Sequence, residues 1–144
     1  MIKLVIFDQD GTLYKRDNQL MLTTRKLTKD WLMKSLNLKY VEVEELYEEL
    51  PKKYPNPYYG FKSLGLEIEN YMSEVFDKVN PSDYIDFNDK LYHFFKCSKL
   101  KKALVTFASP QYTKELQNKL KIYDYYSKII YGKELKTYSK RRSV

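Results

Sequence analysis

Residues 2–7 form a short, nearly continuous apolar run that is rich in β-branched side chains. Such a run is typical of a strand that is buried on both faces of a parallel sheet. A second run of this kind covers residues 102–107, and a third, shorter run covers residues 128–131. Because helical patterns separate the runs, the sequence predicts an α/β fold in which right-handed crossovers connect parallel strands.

Helical periodicity fills most of the chain between the first two strands and returns after the second one. Pro51 is expected to end a helix. Ser109 followed by Pro110 has the pattern of a helix N-cap and first turn. The predicted helices cover residues 24–38, 41–50, 67–79 and 88–96, with a turn-rich segment at residues 54–60.

The length of 144 residues fits one domain, or one domain that carries a small insertion. Hydrophobic residues make up 43% of the chain and aromatic residues 16%, which excludes a disordered polypeptide. We expect residues 1–14 and 81–144 to form an α/β core. Residues 15–80 are then a helical unit inserted after the first strand.

Several functional classes are excluded or disfavoured by simple patterns. No apolar run approaches the roughly 20 residues that a membrane-spanning helix needs. The apolar start is too short, and Asp8 too early, for a signal peptide. A single cysteine, Cys97, excludes an internal disulfide framework and a cysteine-rich zinc site. A reducing, cytoplasmic location is the prediction that fits these features.

The net charge of +7 would suit a polyanionic partner, but the composition favours a solvated surface instead. Only four of the 26 basic residues are arginines, and arginine supplies most bidentate contacts to nucleic acids. The densest basic clusters, around residues 99–102 and 140–142, lack the spaced aromatic side chains of a single-strand binder. Nucleic-acid binding is therefore a weak third hypothesis.

Asp8 and Asp10 directly follow the first predicted strand, and a Gly11-Thr12 turn comes next. Ligands of α/β sheets bind at the carboxyl ends of the strands, so these carboxylates are placed at the expected site. One carboxylate there can attack phosphorus, the other can exchange a proton with the leaving oxygen, and the pair would attract Mg²⁺. The alternative is a pair of turn residues that caps the end of a strand.

The segment from Phe7 to Tyr14 resembles the first signature motif, D-x-D-G-T-L/V after an apolar strand, of the haloacid dehalogenase (HAD) superfamily. The resemblance implies that Asp8 is the nucleophile and a Mg²⁺ ligand. It also implies that Asp10 is the general acid and base and contributes a backbone carbonyl to the metal. Gly11 and Thr12 are expected to contact the substrate.

Two further motifs extend this resemblance. The second HAD motif is a buried strand that ends in Thr or Ser, and Thr106 matches it, with Phe107 and Ala108 expected to bind substrate. The Thr106 hydroxyl, at a strand end beside a helix N-terminus, is suited to binding phosphate. The third motif is a lysine that neutralises phosphate charge. Residues 126–131 resemble the F-D-x-I-I stretch that precedes this lysine in the family. An alignment continued from there without gaps places the lysine at Lys140, with Lys133 and Lys136 as alternatives.

Residues 59–66, together with Tyr14, resemble a cap segment of the pyrimidine 5′-nucleotidase-like branch, and residues 80–85 resemble the next segment. This resemblance implies that the helical insertion is a cap that closes over the site. A cap excludes water and contributes substrate specificity. Tyr58, Tyr59, Phe61 and Lys62 could line it or could equally form its core.

The fourth HAD motif, an acidic pair after a fourth strand, has no match, since no Asp or Glu follows Glu134. The family's sheet order is 3-2-1-4-5, so strand 1 is expected at an open edge of a sheet ordered 3-2-1. Three explanations stay open: a truncated phosphatase, a chain that pairs its edge with a second copy or a partner, or a degenerate relative that only binds.

Two functions follow from this sequence. The first is a Mg²⁺-dependent phosphohydrolase that acts on a small phosphorylated metabolite, possibly a nucleoside monophosphate, through an aspartyl phosphate on Asp8. Thr106 and Lys140 would support the phosphate charge. The alternative is a HAD-like interaction module without catalysis.

Overall fold

The computed structural model describes residues 2–134 and shows an α/β chain with a parallel three-stranded sheet. The strand order is β1-β2-β3, with both neighbouring pairs parallel, as the sequence predicts. In register, Phe7 lies opposite Leu104, and Thr106 lies opposite Tyr131. The carboxyl ends of all three strands therefore meet at one edge of the sheet.

Helices occupy the long connection between β1 and β2 and the shorter one between β2 and β3. Short turns of 3₁₀ helix cover Pro81–Asp83, Tyr123–Tyr125 and Gly132–Glu134, and a π-helical turn, Met72–Phe76, extends the fourth helix. The elements in chain order are β1 (Leu4–Phe7), α1 (Gln19–Leu36), α2 (Tyr40–Lys53), α3 (Pro57–Ser63), α4 (Ile68–Tyr71), α5 (Asp89–Cys97), β2 (Lys101–Thr106), α6 (Pro110–Lys119) and β3 (Lys128–Tyr131).

The prediction that the first strand is buried on both faces is wrong. β2 is buried over all residues after Lys101, whereas the Leu4 and Ile6 side chains of β1 are 47% and 58% exposed. The reason is position: β2 lies between two strands, and within residues 2–134 β1 pairs with β2 alone. The open edge expected for the first strand is thus present in the described part of the chain.

The helix predictions hold in outline, with three corrections. Helix α1 begins at Gln19, five residues earlier than expected, because the Asn18 side chain caps it by accepting from the Met21 amide. Pro51 does not end α2, since a proline so near the C-terminus costs a single helical bond; the Tyr54 amide still donates to the Leu50 carbonyl.

Helix α3 occupies most of the segment that the sequence pattern assigns to turns. Asn56 is its N-cap, and its side chain accepts hydrogen bonds from the amides of Tyr58 and Tyr59 at 2.8 and 3.3 Å. Pro57 takes the first helical position, where its missing N–H costs nothing. The Asn-Pro pair was therefore the start signal, of the same type as Ser109-Pro110.

One continuous cluster of buried apolar side chains joins the inserted helices to the sheet. It includes Trp31 of α1, Phe61 of α3, Leu104 of β2 and Leu116 of α6. No helix within residues 2–134 is long and apolar enough to span a membrane.

Candidate active site

The carboxyl edge of the sheet brings the first two predicted motifs together. Asp8 is the first residue after β1, and Thr106 is the last residue of β2. Because Phe7 pairs with Leu104, Asp8 and Thr106 leave neighbouring strands at the same edge. This is the position at which α/β sheets bind ligands.

The aspartate loop, residues 8–14, closes into a tight turn. The Gln9 carbonyl accepts hydrogen bonds from the Thr12 amide at 3.2 Å and the Leu13 amide at 3.0 Å. Gly11 has a φ of +73°, and a Cβ atom there would lie 2.4 Å from Cγ of Arg16. The positive φ favours glycine at this position, and a larger residue would also displace the exposed Arg16 side chain.

Asp10 is held by phenol groups. Tyr14 donates from its hydroxyl to Oδ1 of Asp10 at 2.5 Å, and the Tyr14 and Tyr112 hydroxyl oxygens are 3.3 Å apart. Burial, followed by the charge of Asp10, raises the pKa of both tyrosines far above the ordinary value. Each phenol is therefore a permanent hydrogen-bond donor near the Asp10 carboxyl group.

Asp8 lies at the mouth of the same loop and is half-buried. The Thr12 hydroxyl donates to Oδ2 of Asp8 at 3.5 Å, a long contact compared with the one at Asp10. Thr12 is thus one of the groups that hold the Asp8 carboxylate. A carboxylate at the carboxyl end of a strand is in the position from which it can attack phosphorus.

Gln9, between the two aspartates, points into the protein and is fully buried. Its Oε1 accepts a hydrogen bond from Nε2 of Gln117 on α6 at 2.9 Å, and the Tyr126 hydroxyl donates to Oε1 of Gln117 at 3.2 Å. Among residues 2–134, the Gln9 Nε2 group has no hydrogen-bond partner. Gln9 therefore anchors the aspartate loop to α6 on its buried side, and this leaves one buried donor unsatisfied.

The loop after β2 is held by hydrogen bonds of its own. The Thr106 hydroxyl is buried and accepts from the Ala108 amide at 3.1 Å. Ser109 caps α6 by accepting from the Tyr112 amide, and it donates to Oδ1 of Asp77 at 2.5 Å. The Ala108 amide is thus used inside the loop in this structure, whereas the sequence prediction assigns Ala108 to substrate binding.

Phe107 connects this loop to α3 and to the end of β3. Tyr58 of α3 donates from its hydroxyl to the Phe107 carbonyl at 2.8 Å, and the two rings meet edge to face, 5.3 Å apart. A Cβ atom on Gly132 would lie 2.1 Å from the Phe107 ring and 2.6 Å from the Tyr58 ring. The absence of a side chain at Gly132 is what lets the three elements meet.

Of the three candidate site lysines, one belongs to the described residues. Lys140 and Lys136, the predicted site lysine and one alternative, lie outside the described residues. Lys133 belongs to the 3₁₀ turn that directly follows β3, at the same edge of the sheet as Asp8 and Thr106. The structure therefore brings the first two motifs together, and the lysine assignment stays a prediction.

A metal at this site would have few protein ligands. Within residues 2–134, no group of three or more His, Cys, Asp or Glu side chains is placed to hold a metal ion. Mg²⁺ nevertheless needs only one or two carboxylates when substrate phosphate and water complete its shell. The Asp8 carboxylate and the Asp10 backbone carbonyl are oxygen donors that fit Mg²⁺ in that sparse form.

Sequence reasoning missed the residues that hold the site together. Tyr14 is named only in the resemblance to the nucleotidase-like branch, and Tyr112 is not predicted as a site residue, yet both lie against Asp10. The spacing of four residues from Asp10 to Tyr14 was a usable signal, because a tight turn brings such positions together. For Tyr112 and Gly132, which act across long sequence separations, the sequence contains no comparable signal.

The chain matches no protein-family model and no curated protein sequence. Among solved structures, it is similar to a putative β-phosphoglucomutase from Thermotoga maritima, with 19% identity and a TM-score of 0.47, and 95% of this chain aligns with 64% of that one. It is also similar to L-2-haloacid dehalogenase from Xanthobacter autotrophicus, both free and with chloropropionic acid covalently bound. The identities are 16% and 15%, the TM-scores 0.47 and 0.48, and 96% of this chain covers 60% of that one.

The chain thus spans 60–64% of the length of these proteins. Both are members of the HAD superfamily, which the aspartate-loop motif of this chain resembles. No pyrimidine nucleotidase is among the similar structures named above, so that branch stays a prediction. TM-scores below 0.5 are too low to transfer an activity, and a function for this chain has to be argued from its own residues.

Proposed function

We propose that this chain is a HAD-type, Mg²⁺-dependent phosphohydrolase that acts on a small phosphorylated metabolite, with a nucleoside monophosphate as one candidate substrate. The observation that carries the proposal is the pair Asp8 and Asp10 at the end of β1, one carboxylate at the loop mouth and the other held by Tyr14. Two carboxylates in different environments suit two chemical tasks. The lone cysteine, Cys97, fits a cytoplasmic setting.

In the proposed first step, a carboxylate oxygen of Asp8 attacks phosphorus and forms an aspartyl phosphate. The bond from phosphorus to the leaving oxygen breaks, and that oxygen takes a proton from Asp10. In the second step, water attacks phosphorus and gives a proton to Asp10, and the carboxylate of Asp8 is released. Both steps balance without an oxidant or reductant.

The phosphate charge is to be stabilised by the remaining predicted residues. Thr106 is at the adjacent strand end, and Lys140 is the predicted cation beyond the described residues. Bound Mg²⁺, held by the Asp8 carboxylate and the Asp10 backbone carbonyl, would supply further electrostatic stabilisation of the phosphoryl group. The helices from α1 to α4 are the proposed cap, and the Tyr58 contact with Phe107 is where this cap meets the phosphate-binding loop.

The test is hydrolysis of 4-nitrophenyl phosphate by the purified chain, with Mg²⁺ and with a chelator. We expect Mg²⁺-dependent turnover that Asp8→Asn abolishes while the circular dichroism spectrum is retained. Asp86→Asn, at an exposed position between the Pro81–Asp83 turn and α5, is the matched control and should keep full turnover. Activity that survives Asp8→Asn would disprove the mechanism.

A second candidate function, an interaction module, is favoured by the exposed side chains of Leu4 and Ile6 on β1. An apolar edge strand offers unpaired backbone groups to a strand of another chain. Light scattering with the full chain would test it. A chain that stays monomeric at high concentration and captures no partner would count against this function.

A further inference from the structure

Tyr14 is clamped on both sides where it reaches Asp10. Its hydroxyl donates to Oδ1 of Asp10, lies 3.3 Å from the Tyr112 hydroxyl of α6, and lies 3.5 Å from the sulfur of Met21 in α1. Tyr112 is only 1% exposed, and its backbone amide is bound to the Ser109 cap. The group that contacts Asp10 is therefore fixed by two helices as well as by its own loop.

A hydrogen bond to one oxygen of a carboxyl group gives its two oxygens different roles. When Asp10 is a neutral acid, Oδ1 accepts the hydrogen of Tyr14 as a carbonyl oxygen would, and the acidic proton belongs on Oδ2. Rotation about the Cβ–Cγ bond would exchange the two oxygens, and the Tyr14 bond opposes that rotation. The proton would then leave from one defined atom.

We infer that Tyr14 is a positioning residue that orients the Asp10 carboxyl group so that Oδ2 protonates the leaving oxygen. The inference rests on the proposed function, because it assigns Tyr14 a task in the first step of that reaction. Tyr14 itself neither touches phosphate nor transfers a proton. Its contribution is the orientation of the acid that does, and such positioning is a recognised source of rate.

Leaving groups of different acidity give the sharpest test. The 4-nitrophenolate ion leaves without much help from an acid, whereas phenolate from phenyl phosphate depends on proton donation. Because a positioned acid contributes about 10²–10⁴-fold, we expect Tyr14→Phe to lower kcat on phenyl phosphate by about tenfold or more. On 4-nitrophenyl phosphate, the expected loss of kcat is below about threefold. KM and the inhibition constant of inorganic phosphate should be unchanged.

Two further variants separate positioning from general damage. Tyr126→Phe removes a partly buried hydroxyl that bonds Gln117 and not Asp10, so the ratio of the two kcat values should stay that of the wild type. Tyr112→Phe removes a second hydroxyl, which contacts Tyr14 and also interacts with Asp10, and should change the ratio in the same direction, by a smaller factor. Equal losses on both substrates in Tyr14→Phe would overturn the inference.

A measurement that needs no turnover completes the test. Crystal structures of the wild type and of Tyr14→Phe would show the Asp10 rotamer directly. We expect one rotamer in the wild type, and a rotated or divided carboxyl group in the variant. An unchanged rotamer would refute the inference. A wild type without phosphatase activity would instead refute the proposed function, and the two failures are thus distinguishable.

Discussion

β1 and β2 have sequences of the same kind but very different surroundings. Both are short apolar strands that end in polar residues of the candidate site. In β2, Leu104 is fully buried between two strands, while in β1 the Ile6 side chain is 58% exposed at an edge. An apolar sequence therefore shows that a strand is suited to burial. How much of the strand is buried depends on its position in the sheet.

The loops after the two strands also differ in the contacts that hold them. The loop after β2 is fixed by contacts from three other elements, through Tyr58, Asp77 and Gly132. The aspartate loop after β1 is held by its own turn and by α6, through Gln117 and Tyr112. Helix α6 thus supports the loop that follows the edge strand.

The largest effect should come from truncating the same kind of side chain in the two strands. Leu104→Ala is expected to lower the free energy of unfolding by about 2–5 kcal/mol, because a fully buried leucine leaves a cavity. Ile6→Ala removes exposed atoms and should cost about 0.5 kcal/mol or less. Urea denaturation of both variants measures the difference. Similar losses would mean that β1 is covered in solution.

Gly132→Ala tests how tightly the loop after β2 is enclosed. The new methyl group would overlap the rings of Phe107 and Tyr58, so we expect a loss of about 1–3 kcal/mol from overpacking. Phe107→Ala in the same chain should relieve part of the overlap. The double variant is therefore expected to be more stable than the sum of the single effects predicts, in a double-mutant cycle. Simple additivity would show that the two residues do not touch.

Tyr58→Phe isolates the hydrogen bond between α3 and the loop after β2. The ring contact with Phe107 is kept, but the Phe107 carbonyl loses a donor at 2.8 Å, which should cost about 1 kcal/mol. Tyr84→Phe removes a hydroxyl from an exposed tyrosine and should stay within about 0.5 kcal/mol of the wild type. Equal free energies of unfolding for the two variants, measured by denaturation, would contradict a stabilising hydrogen bond between Tyr58 and Phe107.

Much of the fold was predictable because it follows from local patterns. β3 and the start of α6 match the prediction, since apolar runs and N-cap pairs act within a few residues. Helix α3 was not predicted, because the Asn56-Pro57 pair at its start was interpreted as part of a turn. The exposure of β1 could be foreseen from the expected strand order but not from the strand itself.

For the candidate site, the sequence predicts only the groups that are proposed to react. Asp8, Asp10 and Thr106 were identified because a strand followed by a polar loop is a local pattern. Their supports come from distant parts of the chain: Tyr112 lies 98 residues from Tyr14, and Gln117 lies 108 residues from Gln9. Such pairs are set by tertiary packing, and a single sequence carries no record of them.

The smallest effect tests the exposed face of β1 by charge. Leu4 lies opposite Lys101 of β2, and both side chains are exposed. Leu4→Glu would place opposite charges side by side, whereas Leu4→Lys would place like charges there, so Leu4→Glu should be the more stable variant by about 0.2–1 kcal/mol. Because exposed charges are screened, the difference should shrink in 1 M salt. A loss above about 2 kcal/mol in both variants would instead show that Leu4 is buried in solution, which is what pairing of the β1 edge with another chain predicts.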